Sequence, residues 1–382
     1  MISYCAVGKG IKPMWGDIAI AFLLAFITTF VLTPYSIKIA KKIGAVDIPK
    51  DNRRMHKKPI PKFGGPAIIA GFLLSAIYLT ITSTIEGNVI LLGEENYLVK
   101  LIGFLFGILI LSFVCYFDDI KGIKPLVKLA GQILAASVVV GFGIRINNLN
   151  IPFLEGNLML NNAFSIILTI GWIVGITNAI NLIDGLDGLS TGIAIISSIC
   201  LLIIFALNGS PLIAIIIITA LVGALAGFLP FNFNPAKTFL GDIGSNFIGF
   251  TLSIVSILGI AKTATAFVIV LPIIVLGLPI FDTLSAIVRR LIKGKSLKAV
   301  IQPDKGHLHH KLIEKGFSQK EAVLTLYGIS VACGMFAVIL FESDIWKALS
   351  FALMVIAVIA IGYKEFFKLK EESIEENQNK KN

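Results

Sequence analysis

The chain has 382 residues, of which 56% are hydrophobic and only 15% are charged. Soluble globular domains carry about 25% charged residues, so this composition excludes an ordinary soluble protein. The formal net charge of +10 does not indicate a nucleic-acid-binding protein, because no exposed basic face with base-contacting elements accompanies it.

Apolar segments that are long enough to cross a bilayer as helices follow one another along the chain. The connections between them are short, so the sequence predicts an all-α polytopic membrane protein with about eleven transmembrane helices. Residues 1–363 are expected to form one membrane-embedded domain, and residues 364–382 a charged cytoplasmic tail. The expected spans are 17–37, 66–85, 100–117, 127–144, 163–181, 189–207, 211–229, 244–261, 264–288, 322–341 and 345–363.

The distribution of lysine and arginine predicts the orientation in the membrane. These residues are concentrated after the first span, between residues 38 and 62, and after the ninth span, between residues 289 and 320. The connections near residues 86–99 and 342–344 are acidic instead. Because cytoplasmic loops carry an excess of lysine and arginine, we expect the N-terminus outside the cell and the C-terminus in the cytoplasm.

Two further segments give predictions about a hairpin and about the start of the chain. Residues 145–162 alternate in hydrophobicity enough to predict a small β-hairpin on the external side. The first fourteen residues do not resemble a cleavable signal sequence, because no apolar core precedes a small-residue cleavage site. Met14 is an alternative start of the chain.

Five polar clusters interrupt the apolar pattern, and each of them follows an odd-numbered span. In the predicted orientation, all five therefore lie on the cytoplasmic side, so they are expected to form one site. The clusters are HKKPIPKFGG at 56–65, the carboxylate pair at 118–119, NAINLIDGLDGL at 178–189, FNFNPAKTFLGDIGS at 231–245 and GHLHH at 306–310.

The third cluster combines carboxylates and amides with close-approach glycines. A charged residue at the bilayer centre costs at least about 2.5–3.5 kcal/mol, so its two carboxylates are expected at the water boundary or in a functional site. Gly185 removes bulk beside them and permits close approach of a ligand or of backbone. Four polar residues at three-residue spacing lie near one another on a helix: Asn178, Asn181, Asp184 and Asp187.

Simpler interpretations exist for several of these residues. The 118–119 pair can end a helix at the membrane interface, although carboxylates there oppose the helix dipole. Asp242, which is flanked by glycine, can be a turn residue or the N-cap of span eight. The histidines of GHLHH can be solvated loop residues. Asp282, within the ninth span, is expected to be buried and partnered rather than catalytic.

The clusters together contain carboxylate and amide oxygens, lysines and histidines. Mg²⁺ prefers oxygen ligands, often one or two carboxylates together with substrate phosphates. A metal ion and basic side chains suit phosphoryl transfer, in which catalysis is mainly positioning and charge stabilisation. The sequence contains no P-loop pattern, which argues against an ATPase. HLHH also lacks the helical i, i+4 histidine pair and the cysteines of a zinc site.

Five ordered motifs between about residues 47 and 318 resemble those of the polyprenyl-phosphate N-acetylhexosamine-1-phosphate transferase family. They are RRMHKKPIPKFGG, FDDIKGIKPLVKLAGQ, NAINLIDGLDGLSTG, FNFNPAKTFLGDIGS and PDKGHLHHKLIEKGFS. The resemblance implies a membrane enzyme that moves a sugar 1-phosphate from a UDP-N-acetylhexosamine onto a lipid phosphate and releases UMP. It also implies Mg²⁺ as the cofactor, with Mn²⁺ as a substitute.

Within the family, the chain resembles the bacterial branch that uses UDP-N-acetylglucosamine and undecaprenyl phosphate. Leu308 interrupts the three consecutive histidines of the peptidoglycan branch, which uses UDP-MurNAc-pentapeptide. The resemblance implies the cytoplasmic membrane as location, a site that faces the cytoplasm, and the first step of an envelope glycan such as wall teichoic acid or O-antigen. The alternatives are the peptidoglycan enzyme and a secondary transporter with charges at the membrane midplane. The sequence does not decide whether the protein forms a homodimer.

The resemblance also implies roles for individual residues. Asp242 corresponds to the central Mg²⁺ ligand, with Asn181 beside it. The paired carboxylates Asp118 and Asp119 belong to the catalytic cleft, and Lys128 holds a substrate phosphate. The implied substrate-binding residues are Lys57 or Lys58 of the first loop, Asp184 and Asp187 of the nucleotide-sugar pocket, Phe239 on the uracil ring, Asn232 in the uridine region, and His307, His309 and His310 on the diphosphate.

Overall fold

Thirteen helices and two short antiparallel strand pairs make up the described part of the chain. The structure is a computed structural model that describes residues 15–49, 58–85, 97–149, 158–260, 270–294, 306–343 and 345–356. The helices are α1 (Trp15–Ile43), α2 (Gly65–Ile85), α3 (Tyr97–Lys121), α4 (Pro125–Gly141), α5 (Asn162–Ile183), α6 (Leu189–Asn208), α7 (Leu212–Asn232), α8 (Gly241–Ile260), α9 (Val270–Val275), α10 (Gly277–Gly294), α11 (Leu308–Glu314), α12 (Gln319–Glu342) and α13 (Ile345–Ile356).

The protein is an all-α multi-pass membrane protein. Across the described ranges, eight helices are long and apolar enough to cross a bilayer: α1, α2, α3, α5, α6, α7, α8 and α12. Each of them coincides with one of the predicted spans. The fourth predicted span corresponds to α4, which has only 17 residues, and α13 covers residues 345–356 of the last one. Residues 357–363 of that span and the predicted tail at 364–382 lie outside the described residues.

The ninth predicted span, 264–288, does not form one continuous helix. In its described part, α9 ends at Val275 and α10 begins at Gly277. Pro272 and Pro279 lie on either side of this break, and each proline removes one helical hydrogen bond. These prolines explain why one apolar run produces two helices.

Helices α7 and α8 form the centre of the bundle. Helix α7 packs against α1, α2, α6 and α8, and α8 packs against α2, α3 and α5. Small residues permit close helix approach in membranes, and Gly227 shows this directly. A Cβ atom added there would lie 2.3 Å from the carbonyl oxygen of Phe26 on α1. The outer helices expose apolar side chains such as Ile27 and Leu109, as expected for a surface that faces lipid.

The predicted hairpin within residues 145–162 is confirmed. Strand β3 (Asn148–Leu149) pairs in antiparallel fashion with β4 (Leu158–Met159) at the far end of α4 and the start of α5. A second pair was not predicted from the sequence. It joins β1 (Val46–Asp47) to β2 (Ile60–Pro61) and connects α1 to the start of α2.

Alternation of helix direction gathers the polar clusters at one end of the bundle. The C-terminal ends of α3, α5 and α7 and the N-terminal ends of α2, α4, α6 and α8 meet there. For example, the Gly65 amide at the start of α2 donates to the Leu240 carbonyl oxygen just before α8, at 3.0 Å. The β3–β4 hairpin lies at the opposite end.

Helix α12 closes this end of the bundle by packing on α6. The Tyr327 hydroxyl donates to the Gly188 carbonyl oxygen at 2.5 Å. A Cβ atom at Gly192 would lie 2.0 Å from atoms of the Tyr327 ring. We therefore expect Gly192→Ala to destabilise the protein by about 1–3 kcal/mol, the usual cost of overpacking a well-packed site.

Thermal unfolding of the purified protein in detergent tests this expectation. Gly328→Ala is the matched control, because Gly328 follows Tyr327 on α12 and an added Cβ would meet nothing within 4 Å. The Gly192 variant is expected to unfold several degrees below wild type, and the Gly328 variant close to wild type. Equal unfolding temperatures for the two variants would contradict the described packing.

Candidate active site

A cavity of about 430 Å³ opens at the end of the bundle where the polar clusters meet. Its walls combine residues from the segments around 62, 181–187, 232–245 and 310, which are far apart in the sequence. The prediction that these clusters come together is therefore confirmed for this part of the chain. Seven of the predicted site residues line the cavity: Asn181, Asp184, Asp187, Asn232, Phe239, Asp242 and His310.

Lys128, Asn181 and Asp242 form a hydrogen-bonded group that we call the central triad. The Lys128 ammonium contacts the Asp242 carboxylate and donates to Asn181 Oδ1 at 3.2 Å. It also lies 3.2 Å from Asp118 Oδ2. Asn181 Nδ2 donates to Asp242 Oδ1 at 3.2 Å and to Ser245 Oγ at 2.7 Å. Because the triad comes from α4, α5 and α8, its geometry depends on how these three helices pack.

The neighbouring carboxylates Asp118 and Asp119 hold backbone in place. Asp119 accepts hydrogen bonds from the amides of Asp242 at 2.8 Å and of Ile243 at 3.0 Å. These amides lie in the first turn of α8, where helix N–H groups lack partners and favour negative charge. Asp118 accepts from the amide of Ile123 at 3.0 Å. The pair lies in the last turn of α3, as the simpler interpretation expects, but Asp119 is only 2% exposed and also holds the start of α8.

Asp187 connects the third polar cluster to the fourth. Its Oδ2 accepts from Asn234 Nδ2 at 2.9 Å and from the Ala236 amide at 3.0 Å. One carboxylate oxygen thus fixes the loop between α7 and α8, which also carries Phe239 to the cavity wall. Asp187 therefore shapes the cavity by holding a loop as well as by lining it.

Asp184 lies at the end of α5 among the other carboxylates of the cavity. Burial, and after it the charges of Asp242, Asp119 and Asp187, raise the pKa of Asp184 to about 8. Carboxylates that raise one another's pKa are stabilised in their charged form by a nearby cation. The cavity offers hard oxygen donors on Asp242, Asp184, Asp187 and Asn181, and this donor chemistry fits Mg²⁺.

The histidine segment is anchored by Asp282 of α10. Asp282 Oδ2 lies 2.7 Å from His307 Nδ1, and Asp282 Oδ1 accepts from the Leu308 amide at 2.9 Å. The prediction that Asp282 is buried and partnered is confirmed. His307 and His309 are 5% and 2% exposed, so the interpretation as solvated loop residues is wrong for these two.

The histidine rings form a stack beside the cavity. The ring centroids of His307 and His309 are 5.7 Å apart, and those of His309 and His310 are 4.2 Å apart. Gly185 permits this packing, since a Cβ atom there would lie 2.4 Å from His309 Nε2. Burial, together with the neighbouring His310, lowers the pKa of His309 to about 3. His309 is therefore neutral at physiological pH and supplies no positive charge to a phosphate.

Two of the implied substrate-binding residues, Lys58 and Asn232, lie in surroundings that differ from those implied. Lys58 is exposed and lines a second cavity of about 530 Å³ rather than the first one. Lys57 lies outside the described residues. Asn232 is buried, and its side chain already accepts from Thr191 Oγ1 at 2.7 Å and donates to the Thr238 carbonyl oxygen at 3.0 Å. Its position indicates that Asn232 holds the loop before α8.

The structure also places residues in the cavity wall that the sequence did not single out. Lys62 lines the cavity, and its Nζ lies 3.7 Å from Asp119 Oδ1. The signal for Lys62 was its place in the HKKPIPKFGG cluster, where three lysines compete for the same role. Asp47, Ser245 and Gln319 also line the cavity, and only Ser245 stands in one of the recognised motifs.

Asp282→Ala is expected to destabilise the protein by roughly 2–4 kcal/mol, because it leaves two buried hydrogen-bond donors without an acceptor and each costs about 1–3 kcal/mol. Thermal unfolding in detergent measures the effect. Thr283→Val is the matched control, since the buried Thr283 hydroxyl has no hydrogen-bond partner and its loss removes no contact. Equal unfolding temperatures for the Asp282 and Thr283 variants would contradict the anchoring role of Asp282.

Comparison with known proteins places the sequence among glycosyl transferases. The sequence profile of Glycosyl transferase family 4 matches residues 101–260. A probable undecaprenyl-phosphate N-acetylglucosaminyl 1-phosphate transferase of Bacillus subtilis is 38% identical over 90% of this chain and 90% of its own length. A decaprenyl-phosphate N-acetylglucosaminephosphotransferase of Mycobacterium tuberculosis is 35% identical over 94% and 91%. A phospho-N-acetylmuramoyl-pentapeptide-transferase of Streptococcus thermophilus is 34% identical over 62% and 71%.

Proposed function

Because the chain belongs to the polyprenyl-phosphate N-acetylhexosamine-1-phosphate transferase family, we propose that it transfers N-acetylglucosamine 1-phosphate from UDP-N-acetylglucosamine to undecaprenyl phosphate. The products are undecaprenyl-diphospho-N-acetylglucosamine and UMP. The similarity to the Bacillus protein of that name over 90% of the chain supports this substrate pair. The peptidoglycan alternative has weaker support, since the relative of that kind aligns with 62% of the chain.

The observation that carries this proposal is the central triad beside the 430 Å³ cavity. A lysine, an amide and a carboxylate from three helices meet there. Further carboxylates and Lys62 line the same space. Such a mixture of cationic and oxygen-donor groups matches a diphosphate, whose transfer depends on positioning and on charge stabilisation.

We assign the binding of Mg²⁺, or of Mn²⁺ in its place, to Asp242 and Asn181, with Asp184 and Asp187 beside them. The oxygen-rich donor set and the raised pKa of Asp184 support this assignment. Held by these residues, a divalent ion would supply positive charge to the diphosphate and so would favour departure of UMP.

The proposed reaction is a direct displacement at phosphorus. A phosphate oxygen of undecaprenyl phosphate forms a bond to the β-phosphorus of the nucleotide sugar. The bond from that phosphorus to the oxygen bridging to UMP breaks, and UMP leaves with the electron pair. Lys128 and Lys62 supply positive charge beside the cavity. Asp118, which lies 3.2 Å from Lys128 Nζ, is assigned to hold that lysine, because a phosphate monoester has its second pKa near 6 and needs little help from a base.

A two-step route through a covalent aspartyl intermediate is the rival mechanism. It predicts that the enzyme exchanges labelled UMP into UDP-N-acetylglucosamine without any lipid acceptor. Direct displacement predicts no such exchange, because the bond to UMP breaks only when the lipid phosphate attacks. An exchange assay with purified protein therefore decides between the two routes.

We place the cavity at the cytoplasmic face of the bacterial inner membrane. The basic connections between residues 38 and 62 and between residues 289 and 320 support this orientation. The polyprenyl tail needs an apolar surface near the cavity, and α10, which carries Asp282, offers one. Its exposed apolar side chains recur at helical spacing of three or four residues: Phe281, Leu284, Val288 and Ile292.

The substrate assignment is tested with purified protein, undecaprenyl phosphate, Mg²⁺ and a panel of UDP-sugars. We expect release of UMP with UDP-N-acetylglucosamine and none with UDP-MurNAc-pentapeptide. Turnover only with the pentapeptide substrate would instead assign the protein to the peptidoglycan branch. The absence of turnover with every UDP-N-acetylhexosamine would reject the proposed function.

A further inference from the structure

A second polar layer lies one helical turn deeper in the bundle than the central triad. It consists of one amide side chain from each of the same three helices: Gln132 on α4, Asn178 on α5 and Asn246 on α8. Each of these residues stands three or four positions from the triad member on its own helix. Residues at this spacing lie on the same face, so the amide layer and the central triad are stacked.

The hydrogen bonds of the amide layer join all three helices. Gln132 Nε2 donates to Asn246 Oδ1 at 2.7 Å and to Asn178 Oδ1 at 3.3 Å. Asn178 Nδ2 donates to Gln132 Oε1 at 2.7 Å and to the Val174 carbonyl oxygen at 2.8 Å. Asn246 Nδ2 donates to the Asp242 carbonyl oxygen at 2.8 Å, which connects the layer directly to the triad.

The amide layer favours one relative position of the three helices, because its side chains can form these hydrogen bonds only when the helices are in this register. Gln132 is 2% exposed and Asn246 is fully buried, so an amide that loses its partner there finds no water. A rotation or a slide of α4 would break the contacts to Asn178 and Asn246 together. Side-chain hydrogen bonds between membrane helices contribute on average only about 0.6 kcal/mol to stability, so the layer constrains geometry more than it stabilises the fold.

We propose that the amide layer positions the active site. It sets the rotation and the height of α4, α5 and α8, and in this way it holds Lys128, Asn181 and Asp242 within contact of one another. Gln132, Asn178 and Asn246 are positioning residues, since they act through the triad. The inference rests on the proposed transferase function for its kinetic test, whereas a metal-binding test does not need turnover.

The decisive variant replaces the whole layer: Gln132→Met, Asn178→Leu and Asn246→Leu together. Replacing every partner of a hydrogen-bonded group with apolar side chains of similar shape is nearly neutral for stability, so thermal unfolding is expected to stay within a few degrees of wild type. The kcat for UMP release is expected to fall by about 100-fold, the cost of a displacement of about 1 Å at a reacting centre. Mn²⁺ affinity, measured by electron paramagnetic resonance, is expected to fall by about 10-fold or more.

The matched control is Thr177→Val, next to Asn178 on α5. Thr177 is buried, but its hydroxyl donates to the Ile173 carbonyl oxygen of its own helix at 2.6 Å and does not join the layer. This variant is expected to keep wild-type kcat and Mn²⁺ affinity. Wild-type kcat and Mn²⁺ affinity in the stably folded triple variant would overturn the inference.

A single variant keeps the test decisive if the triple variant does not fold. Gln132→Met removes the three hydrogen bonds by which the amide layer joins α4 to α5 and α8 and leaves Asn178 and Asn246 in place. It is expected to show the same kind of loss in kcat and in Mn²⁺ affinity, and wild-type values in it would overturn the inference as well. Failure of the wild-type protein to release UMP would count against the proposed function, and the Mn²⁺ measurement would still decide the role of the layer.

Discussion

Replacement of Asp242 by alanine is expected to reduce UMP release by at least about 1,000-fold, at the upper end of the cost of removing one electrostatic group from an active site. Asp242 contacts both other members of the central triad, and it lines the cavity. It is also the first residue to which we assign the divalent ion. Its loss therefore removes the proposed metal ligand and the main partner of Lys128 at once.

The Asp242 variant is nevertheless expected to fold. Lys128 keeps Asp118 as a partner at 3.2 Å, so no buried ammonium is left without a carboxylate. Ser253→Ala is the matched control, because Ser253 lies on the same helix α8 and its buried hydroxyl donates to the Phe250 carbonyl oxygen of that helix at 2.7 Å. We expect this control to retain most of its activity, with thermal unfolding near wild type in both variants. Turnover near wild type in the Asp242 variant would remove Asp242 from the site.

Replacement of Asp119 by alanine is expected to lower both activity and stability. The change deprives the amides of Asp242 and Ile243 of their acceptor. Each buried donor without a partner costs about 1–3 kcal/mol, so the total loss is expected at roughly 2–5 kcal/mol. Because these amides begin α8, the displaced helix start moves Asp242 with it, and UMP release is expected to fall by about 100-fold.

The comparison of the two aspartates separates a positioning role from a direct one. Asp119→Asn keeps one acceptor oxygen and is expected to lie between wild type and Asp119→Ala in thermal unfolding. Asp242→Ala is expected to lose UMP release but keep its thermal stability, whereas Asp119→Ala is expected to lose both UMP release and thermal stability. If Asp119→Ala unfolded at the wild-type temperature with full UMP release, Asp119 would not hold α8 as the structure shows.

The gathering of the polar clusters at one end of the bundle could be predicted from the sequence, because it depends only on the number of membrane spans that precede each cluster. Helices that alternate in direction place every second connection at the same end of a bundle, whatever their detailed packing. The hairpin near residues 145–162 could be predicted for a similar reason, since alternation in hydrophobicity is a local property. The burial of Asp282 followed from the high cost of an exposed charge within an apolar segment.

The partners of individual side chains could not be predicted in this way. That Asp119 holds the start of α8 depends on the packing of helices whose residues are more than 120 positions apart. That Lys62 rather than Lys58 lines the cavity depends on the course of the chain after β2. The burial of His309 depends on the close approach of Gly185, and the break at Leu276 depends on two prolines acting on one apolar run.

The amide layer could be predicted from the sequence only in part. Asn178 belongs to the NAINLIDGLDGL cluster, where its spacing from Asn181 suggested a shared helical face. Gln132 ends the FDDIKGIKPLVKLAGQ motif and Asn246 directly follows the FNFNPAKTFLGDIGS motif, but no local pattern connects either of them to Asn178. Only the packing of α4, α5 and α8 shows that the three amides bond to one another.

The transfer itself is tested most directly with UDP-N-acetylglucosamine that carries a radioactive label in its β-phosphate. Purified protein, undecaprenyl phosphate and Mg²⁺ are incubated with it, and lipid and aqueous products are separated. Transfer of the sugar 1-phosphate predicts that the label appears in the lipid fraction in equal amount to the unlabelled UMP released. Label that stays in the aqueous phase as UDP, with unlabelled sugar in the lipid, would contradict transfer of the sugar 1-phosphate.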